Sequence, residues 1–328
     1  MTPIYRKKID APSAWTPNSL GGKEGLVRTL DKKHLDAVDR LLVSVKRLKT
    51  EEITRKDVED TVLTPMLADI RKEMMHGKCT VIIRGIDVGR YSQQDCERIF
   101  WGFATHWGKA AVQSSRADRI GYVRDEPDDP IRRGYRSSRE LVLHTDSRPV
   151  IGLMSIQVAE TGGYTHLASG STIHNIILEE RPDLLEPLYR GYPYVSNEID
   201  ITPYSIPIFS NVDGVVSCAF FEAFMRNAAK KVGKTLPDDL DEALTYFAKT
   251  AKREDVHLNF LLEPGEILMS NNFVVLHART EFKNSAEKKR LLVRLWLNVY
   301  DGRPLVPELL QRSEAFDRNY DPQYAKAS

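Results

Sequence analysis

The sequence predicts an α+β protein whose core is β-rich, a sandwich or barrel beneath a helical N-terminal cover. Helical periodicity dominates as far as Gly108. Short alternating or β-branched segments separated by turn residues dominate after it. No repeat, low-complexity tract or Ser/Gly linker divides the chain, and 328 residues at 41% hydrophobic supply enough apolar surface for a sizeable core. The simplest organisation is one domain, with a helical cover over 1–110, a β core over 111–300 that carries a helical insertion at about 219–251, and a C-terminal segment over 301–328.

The cover is read first. Leu35, Val38, Leu41, Leu42, Val45 and Leu48 recur at three- and four-residue steps and predict an amphipathic helix, with a second near 55–75. Cys79 to Ile83 is β-branched and closed by Gly85, which predicts a buried strand. Ser92 to Asp95 has the spacing of a capping box, and the helix it opens presents Cys96, Ile99, Phe100, Phe103 and Trp107 before ending at Gly108. Strands are expected near 111–123, 141–145, 151–158, 193–200, 207–217, 257–262, 266–277 and 290–299, with helices near 171–190 and 219–250. Pro182 opens a second helix within the first of these stretches. Glu263-Pro264-Gly265-Glu266 is a turn, since proline presets φ and glycine accepts a positive φ, and it is expected to join two antiparallel strands.

Charge and cysteine usage narrow the function. The formal net charge is +1, so no global field recruits nucleic acid or an acidic membrane surface. The N-terminus lacks the apolar run of a secretory signal and no long apolar span follows, which points to the cytoplasm. Cys79, Cys96 and Cys218 are too few and too scattered for a disulfide framework or a zinc ribbon. The expected partner is a small-molecule substrate. Leu309-Leu310 in the charged C-terminal segment predicts a helix packed on the core or on a partner subunit, which leaves a homo-oligomer open.

A metal site is suggested by His144-Thr145-Asp146. With 8 histidines and 46 carboxylates, roughly one His-x-Asp/Glu match is expected by chance, so position must decide. His34-Leu35-Asp36 lies in a helix, where residues two apart point to opposite sides. His144 and Asp146 follow the strand Leu141-Val142-Leu143, where residues two apart share a face. A third ligand should come from another strand, and His277 ends the apolar run that starts at Phe273. His166 and His174 are alternative ligands or ordinary core histidines. Along 290–298, Arg290, Leu292, Arg294, Trp296 and Asn298 share one face and the other is aliphatic. Either that polar face meets solvent, or it lines an interior in which two guanidinium groups need anions.

Together His144-x-Asp146, Gly162-Gly163-Tyr164-Thr165, the run Asn271 to Thr280 and Arg290…Arg294-Leu295-Trp296 resemble the taurine dioxygenase-like (TauD/TfdA) branch of the iron(II)/2-oxoglutarate oxygenases, within the clavaminate synthase-like superfamily. The resemblance covers roughly 108–300 and implies a double-stranded β-helix, or jelly roll. It implies Fe(II) held by His144, Asp146 and His277, with 2-oxoglutarate and O2 as co-substrates. Arg290, thirteen residues after His277, and Thr165 are then expected to hold the far carboxylate of 2-oxoglutarate, and Arg294 an anionic group of the substrate. An aspartate at 146 sets the chain apart from halogenating relatives, which carry a small residue there. Iron itself rests on the resemblance, since zinc outcompetes it for such ligands. The Arg124 to Arg139 stretch, with Arg132 and Arg133, is an ordinary charged loop or a lid; Tyr135, Arg136 and Arg148 are candidate substrate contacts, and Gln113 is a weaker one. The implied reaction is hydroxylation or another oxidation of a small polar, anionic metabolite with release of succinate and CO2. Desaturation or ring closure, or turnover without 2-oxoglutarate, is the alternative.

Overall fold

The computed structural model describes residues 2–129, 134–196 and 200–324; Arg132 and Arg133 lie outside them. The chain begins with a turn of helix, α1 (Pro17–Leu20), and a short strand, β1 (Val27–Thr29). Helices α2 (Lys32–Ser44) and α3 (Leu63–His76), strand β2 (Thr80–Arg84) and helix α4 (Gln93–Ala104) complete the cover. Asp31 caps α2 reciprocally with His34, which removes His34 from any ligand role. Ser92 caps α4 by accepting from the Asp95 amide. That helix stops at Ala104 rather than Gly108, because residue 108 already pairs in a sheet.

The core strands are β3 (Gly108–Ala110), β4 (Gly121–Val123), β5 (Leu141–His144), β6 (Val150–Gln157), β7 (Thr161–Gly162) and β8 (Thr165–Ser169). Helices α5 (Gly170–Glu180) and α6 (Leu185–Arg190) lead to the hairpin of β9 (Phe209–Val212) and β10 (Val215–Cys218), and α7 (Glu222–Lys231) and α8 (Asp238–Ala251) follow. The chain then forms β11 (His257–Phe260), β12 (Ile267–Asn271), β13 (Val275–Arg279), β14 (Phe282–Lys283), β15 (Leu291–Val299) and a last helix, α9 (Pro307–Tyr320). The expected 193–200 strand is absent from its described part: Tyr192 makes one isolated bridge to Ile206, and Tyr194 and Val195 are buried among helices instead.

Two sheets face each other. The larger runs β1-β2-β12-β6-β15-β3, with β4 also on β15, and the smaller runs β11-β8-β13-β5. Period-two alternation explains both faces of the larger sheet. Val81, Ile83, Met269, Val293 and Leu295 point outward into the layer of α2, α3 and α4. Ile82, Leu268 and Leu292 point inward to meet Leu167, Val275 and Phe260 of the smaller sheet. A second helical layer, with Ile173, Leu188, Leu244 and Phe247, covers the smaller sheet's outer face around Ala168 and Leu276. The result is the double-stranded β-helix between two helical layers. The turn at 263–266 does not join paired strands, since β11 pairs with β8 while β12 pairs with β2 and β6. It carries the chain from one sheet to the other, and Gly265, at φ 84°, is required there because a Cβ would lie 1.8 Å from the Ile86 carbonyl oxygen.

Helix α9 packs on the core, with Leu309 buried and Leu310 half exposed. Arg148 fastens it. Its guanidinium is wholly buried, reaches both carboxylate oxygens of Asp317 at 2.7 Å, and donates to the Ser313 hydroxyl at 3.0 Å. The expectation that Arg148 meets substrate is therefore corrected: its two terminal nitrogens are committed to α9, and it does not line the cavity that holds the triad. Because removing one partner leaves a buried charge unpaired, Arg148→Met is expected to destabilise the protein by about 3–5 kcal/mol in urea unfolding. A loss below about 1 kcal/mol would contradict this role.

Candidate active site

His144 ends β5 and stands directly opposite His277 of β13 in the antiparallel register. Cross-strand neighbours on one face are the shortest reach between two strands, and the two rings lie 4.4 Å apart between centroids. Asp146 follows in a loop pinned from three sides. The Thr145 amide donates to the Phe220 carbonyl at 2.8 Å, the Thr145 hydroxyl accepts from the Phe220 amide, and the buried Asn272 binds the Arg148 carbonyl and faces the Asp146 amide. Thr145 is thus turned away, and 144 and 146 both face inward. The side-chain donors of His144, Asp146 and His277 all lie within 4.8 Å of one another.

His144 and Asp146 are oriented for a cation by their neighbours. His144 Nδ1 lies 2.7 Å from the Val142 carbonyl oxygen; a carbonyl can only accept, so Nδ1 carries the proton and the Nε2 lone pair is free. Asp146 Oδ2 accepts from Trp296 Nε1 at 2.8 Å, which orients the carboxylate. Burial opposes its ionisation, yet the hydrogen bond from His277 and the positive charge of Arg294 hold Asp146 below the ordinary carboxylate range. The Asp146 oxygens stand 3.8 Å from His144 Nε2 and 3.5 Å from His277 Nε2. Adjacent donors on an octahedral ion at about 2.1 Å stand about 3 Å apart, so a small contraction brings all three onto one centre. Two imidazoles and one carboxylate on one face leave the rest of an octahedral sphere open, the arrangement suited to ferrous oxygen chemistry.

The same cavity, about 720 Å³, is lined by the triad and by Thr165, Arg279, Arg290, Arg294, Trp296 and Tyr135. Arg290 is buried and its Nη1 has no hydrogen-bond partner. Burial, and then the charge of Arg279, push its guanidinium down to about 9. Gly163, at φ 74°, leaves it room, since a Cβ there would lie 3.0 Å from Arg290 Nε. Thr165 opens β8 beside it, in register with Arg279. A planar cation with a spare donor, next to a hydroxyl, fits a carboxylate, so these residues suit 2-oxoglutarate. Arg294 lies 3.8 Å from the Tyr135 ring centroid and 4.4 Å from that of Trp296.

Two further candidates sit elsewhere. Gln113 is fully buried but outside the lining: its amide donates to the Arg119 and Arg294 carbonyls and accepts from Arg294 Nε at 2.6 Å. It is a positioning residue for Arg294 rather than a substrate contact. Arg136 faces Asp118, Glu126 and Asp129, outside the cavity, so its charge is met within the loop. Among the alternative ligands, His166 stacks on His257 and His174 meets Phe209 edge to face, and neither belongs to the group of donors that His144, Asp146 and His277 form. Arg279, Asn272 and Arg312 were not singled out from sequence. Arg279 holds the loop before β5 by donating to the Ser137 and Arg139 carbonyls, and the extension of β13's alternating pattern two residues past His277 is the signal that marks it.

The family model described as "Taurine catabolism dioxygenase TauD, TfdA family" matches residues 45–296, most of the chain. The chain belongs to that family. TauD-family membership and the jelly-roll fold make this a non-haem iron, 2-oxoglutarate-dependent dioxygenase. FR-33289 synthase of Streptomyces rubellomurinus is 27% identical over 320 residues, 92% of this chain and 94% of its own. Taurine hydroxylase-like protein SAT17 of Stachybotrys chartarum is 27% identical over 307 residues, covering 87% and 78%. An asparagine oxygenase solved with Fe(II), 2S,3S-3-hydroxyasparagine and succinate superimposes with TM-score 0.67 at 15% identity, over 83% of this chain and 93% of its own. The non-heme iron oxygenase OrfP with Fe, succinate and (3S)-hydroxy-L-Arg gives 0.62 at 14%, over 83% and 93%. Among the described residues no helix is long and apolar enough to cross a membrane.

Burial, helped by the charge of His277, pushes the His144 imidazole down to about 4, so the ring is neutral at pH 7, the form that binds metal. An unfolded histidine titrates near 6.5, so between about 6.5 and 4 the unfolded chain binds the extra proton. Stability of the metal-free protein is then full above pH 6.5 and falls as pH drops toward 4. Between pH 7.5 and 4.5 the native protein should lose about 2–3 kcal/mol more in urea unfolding than His144→Asn. Equal losses would show that this imidazole is not the source.

Proposed function

We propose that the enzyme hydroxylates an unactivated carbon of a small, polar, anionic metabolite, with 2-oxoglutarate losing CO2 to become succinate as one oxygen atom of O2 enters succinate and the other enters the substrate as its new hydroxyl. The observation that carries this reading is the placement of the triad, Arg290 and Arg294 around one cavity. In this reading His144, Asp146 and His277 hold Fe(II), which with 2-oxoglutarate supplies the oxidising power toward O2. Arg290 and Thr165 fix the far carboxylate of 2-oxoglutarate and so its orientation. Arg294, steadied by Gln113 and bracketed by Tyr135 and Trp296, takes the substrate's anionic group and sets which carbon faces the metal. The hydroxylated amino acids named with the asparagine oxygenase and OrfP, and the hydroxylase name of the fungal relative, favour hydroxylation over desaturation or ring closure.

Anaerobic addition of ferrous iron and 2-oxoglutarate to the metal-free protein should give a visible charge-transfer band. Asp146→Ala should abolish it, and Arg290→Ala should weaken 2-oxoglutarate binding by roughly 30-fold or more, the loss of about 2 kcal/mol or more for a buried charge pair. A native protein without the band, or an Arg290→Ala variant that binds 2-oxoglutarate normally, would refute the assignment.

A further inference from the structure

One cation reaches the cavity from beyond the family-matched segment. On α9 the residues at 309, 312 and 316 face inward, a stripe that is apolar when a helix serves packing alone. Leu309 and Phe316 obey that rule. Arg312 breaks it, at 5% exposure. Its guanidinium lies 4.9 Å from the Tyr194 ring centroid and lines the same cavity as the triad. Among the described residues no carboxylate lies within ion-pair range of it. Asp317, on the same helix, is taken by Arg148, and Asp146 belongs to the metal group. The aromatic face of Tyr194 offsets only part of the desolvation of a buried cation.

An unpaired charge is not retained in a dry interior for packing, since an apolar residue of similar volume serves better. The co-substrate does not answer it either: in the reading above, which this inference adopts, the carboxylates of 2-oxoglutarate go to the metal and to Arg290. We infer that Arg312 binds a second oxyanion of the substrate, additional to the group met by Arg294. The substrate class is then a molecule with at least two negative charges, such as a dicarboxylate or a carboxylate joined to a phosphonate, phosphate or sulfonate. Asn227 lines the same cavity, and its amide donor suits a remaining oxygen of such a group, whereas Lys231 at the cavity's edge is already paired with Asp200 at 2.6 Å.

The test uses the anaerobic Fe(II)·2-oxoglutarate complex of the full chain, titrated calorimetrically at pH 8 with methylphosphonate, methanesulfonate and acetate. At least one of these should bind tenfold or more weaker to Arg312→Met than to the native protein, with 2-oxoglutarate affinity unchanged within twofold and Arg312→Lys intermediate. The metal-free Arg312→Met protein should unfold at the same temperature as the native protein or higher, because an unpaired buried charge is removed. A lower unfolding temperature with unchanged anion affinity would mark a structural arginine and overturn the inference. So would native protein that binds none of the three anions while still showing its charge-transfer band. Loss of the band itself would overturn the proposed function, and the inference with it.

Discussion

Antiparallel pairing of β5 with β13 is the constraint from which the site follows. The pairing sets His144 opposite His277, and a slip of one residue would send one imidazole to the other face of the sheet. Such a slip is opposed on both sides of β13. Its inner residues Val275 and His277 meet the inter-sheet space, while Leu276 packs into the helical layer. The carboxylate is then placed by what its neighbours do. Thr145 is bound to the 220 segment and Asn272 to the 148 carbonyl, so the loop cannot turn Asp146 outward without breaking several buried hydrogen bonds, each costing about 1–3 kcal/mol when a partner is left unsatisfied. Two ligands sit on rigid strands and the third on a loop that is tied at both ends, which is how a site holds its geometry before metal arrives.

The interior between the sheets is charged where a packing core would be apolar. Arg279 and Arg290 both lie against the Phe282 ring, at 4.8 and 5.2 Å from its centroid, and each has a buried nitrogen without a hydrogen bond. Aromatic faces offset such charges by about 0.5–2 kcal/mol each, whereas desolvating an ion costs several kcal/mol. The deficit is larger than the rings can meet. An anion entering the cavity would relieve it, in which case the unliganded protein carries instability that such a ligand removes. Function and stability pull on the same residues here, and the hydrophobic layers outside both sheets carry the load.

Much of this was legible in sequence because the periodicities are local. The stripe of α2, the cap of α4 and the alternation along β15 each involve residues a few positions apart, and Val293, Leu295 and Leu297 do face the helices while Leu292, Arg294 and Trp296 face inward. The misreadings share a cause, which is that partners distant in sequence leave no local trace. Arg148 follows the ligand pair closely, but its carboxylate is 169 positions away, and Gln113 meets Arg294 across 181 positions. Turn chemistry at 263–266 was read correctly, yet which strands its two arms pair with is decided by β8, β2 and β6. Segment 193–196 has aromatic and branched residues suited to a strand, but they are buried against α7 and its neighbours instead. Arg312 was hidden because Leu309-Leu310 already accounted for an ordinary packing helix.

Helix α9 links the ion pair of Arg148, the aromatic contact of Trp296 and the loop that carries Asp146. Arg148 lies two residues beyond Asp146, and by clasping Asp317 it fixes both the helix and the loop that carries the ligand. The same helix brings Phe316 to 6.2 Å from Trp296 in an edge-to-face contact, a geometry favoured by the ring quadrupoles. Trp296 in turn donates to Asp146. A displacement of α9 therefore reaches the metal ligand by two routes, one through the ion pair and the loop, the other through the edge-to-face rings and the indole N–H. Arg312 lies on that helix between Leu309 and Phe316, so an anion drawn to it also bears on the element that orients Asp146. The orientation of Asp146 and the position of the cavity-lining Arg312 thus depend on one helix outside the β core, which gives a physical reason for a buried ion pair where an apolar contact would pack as well.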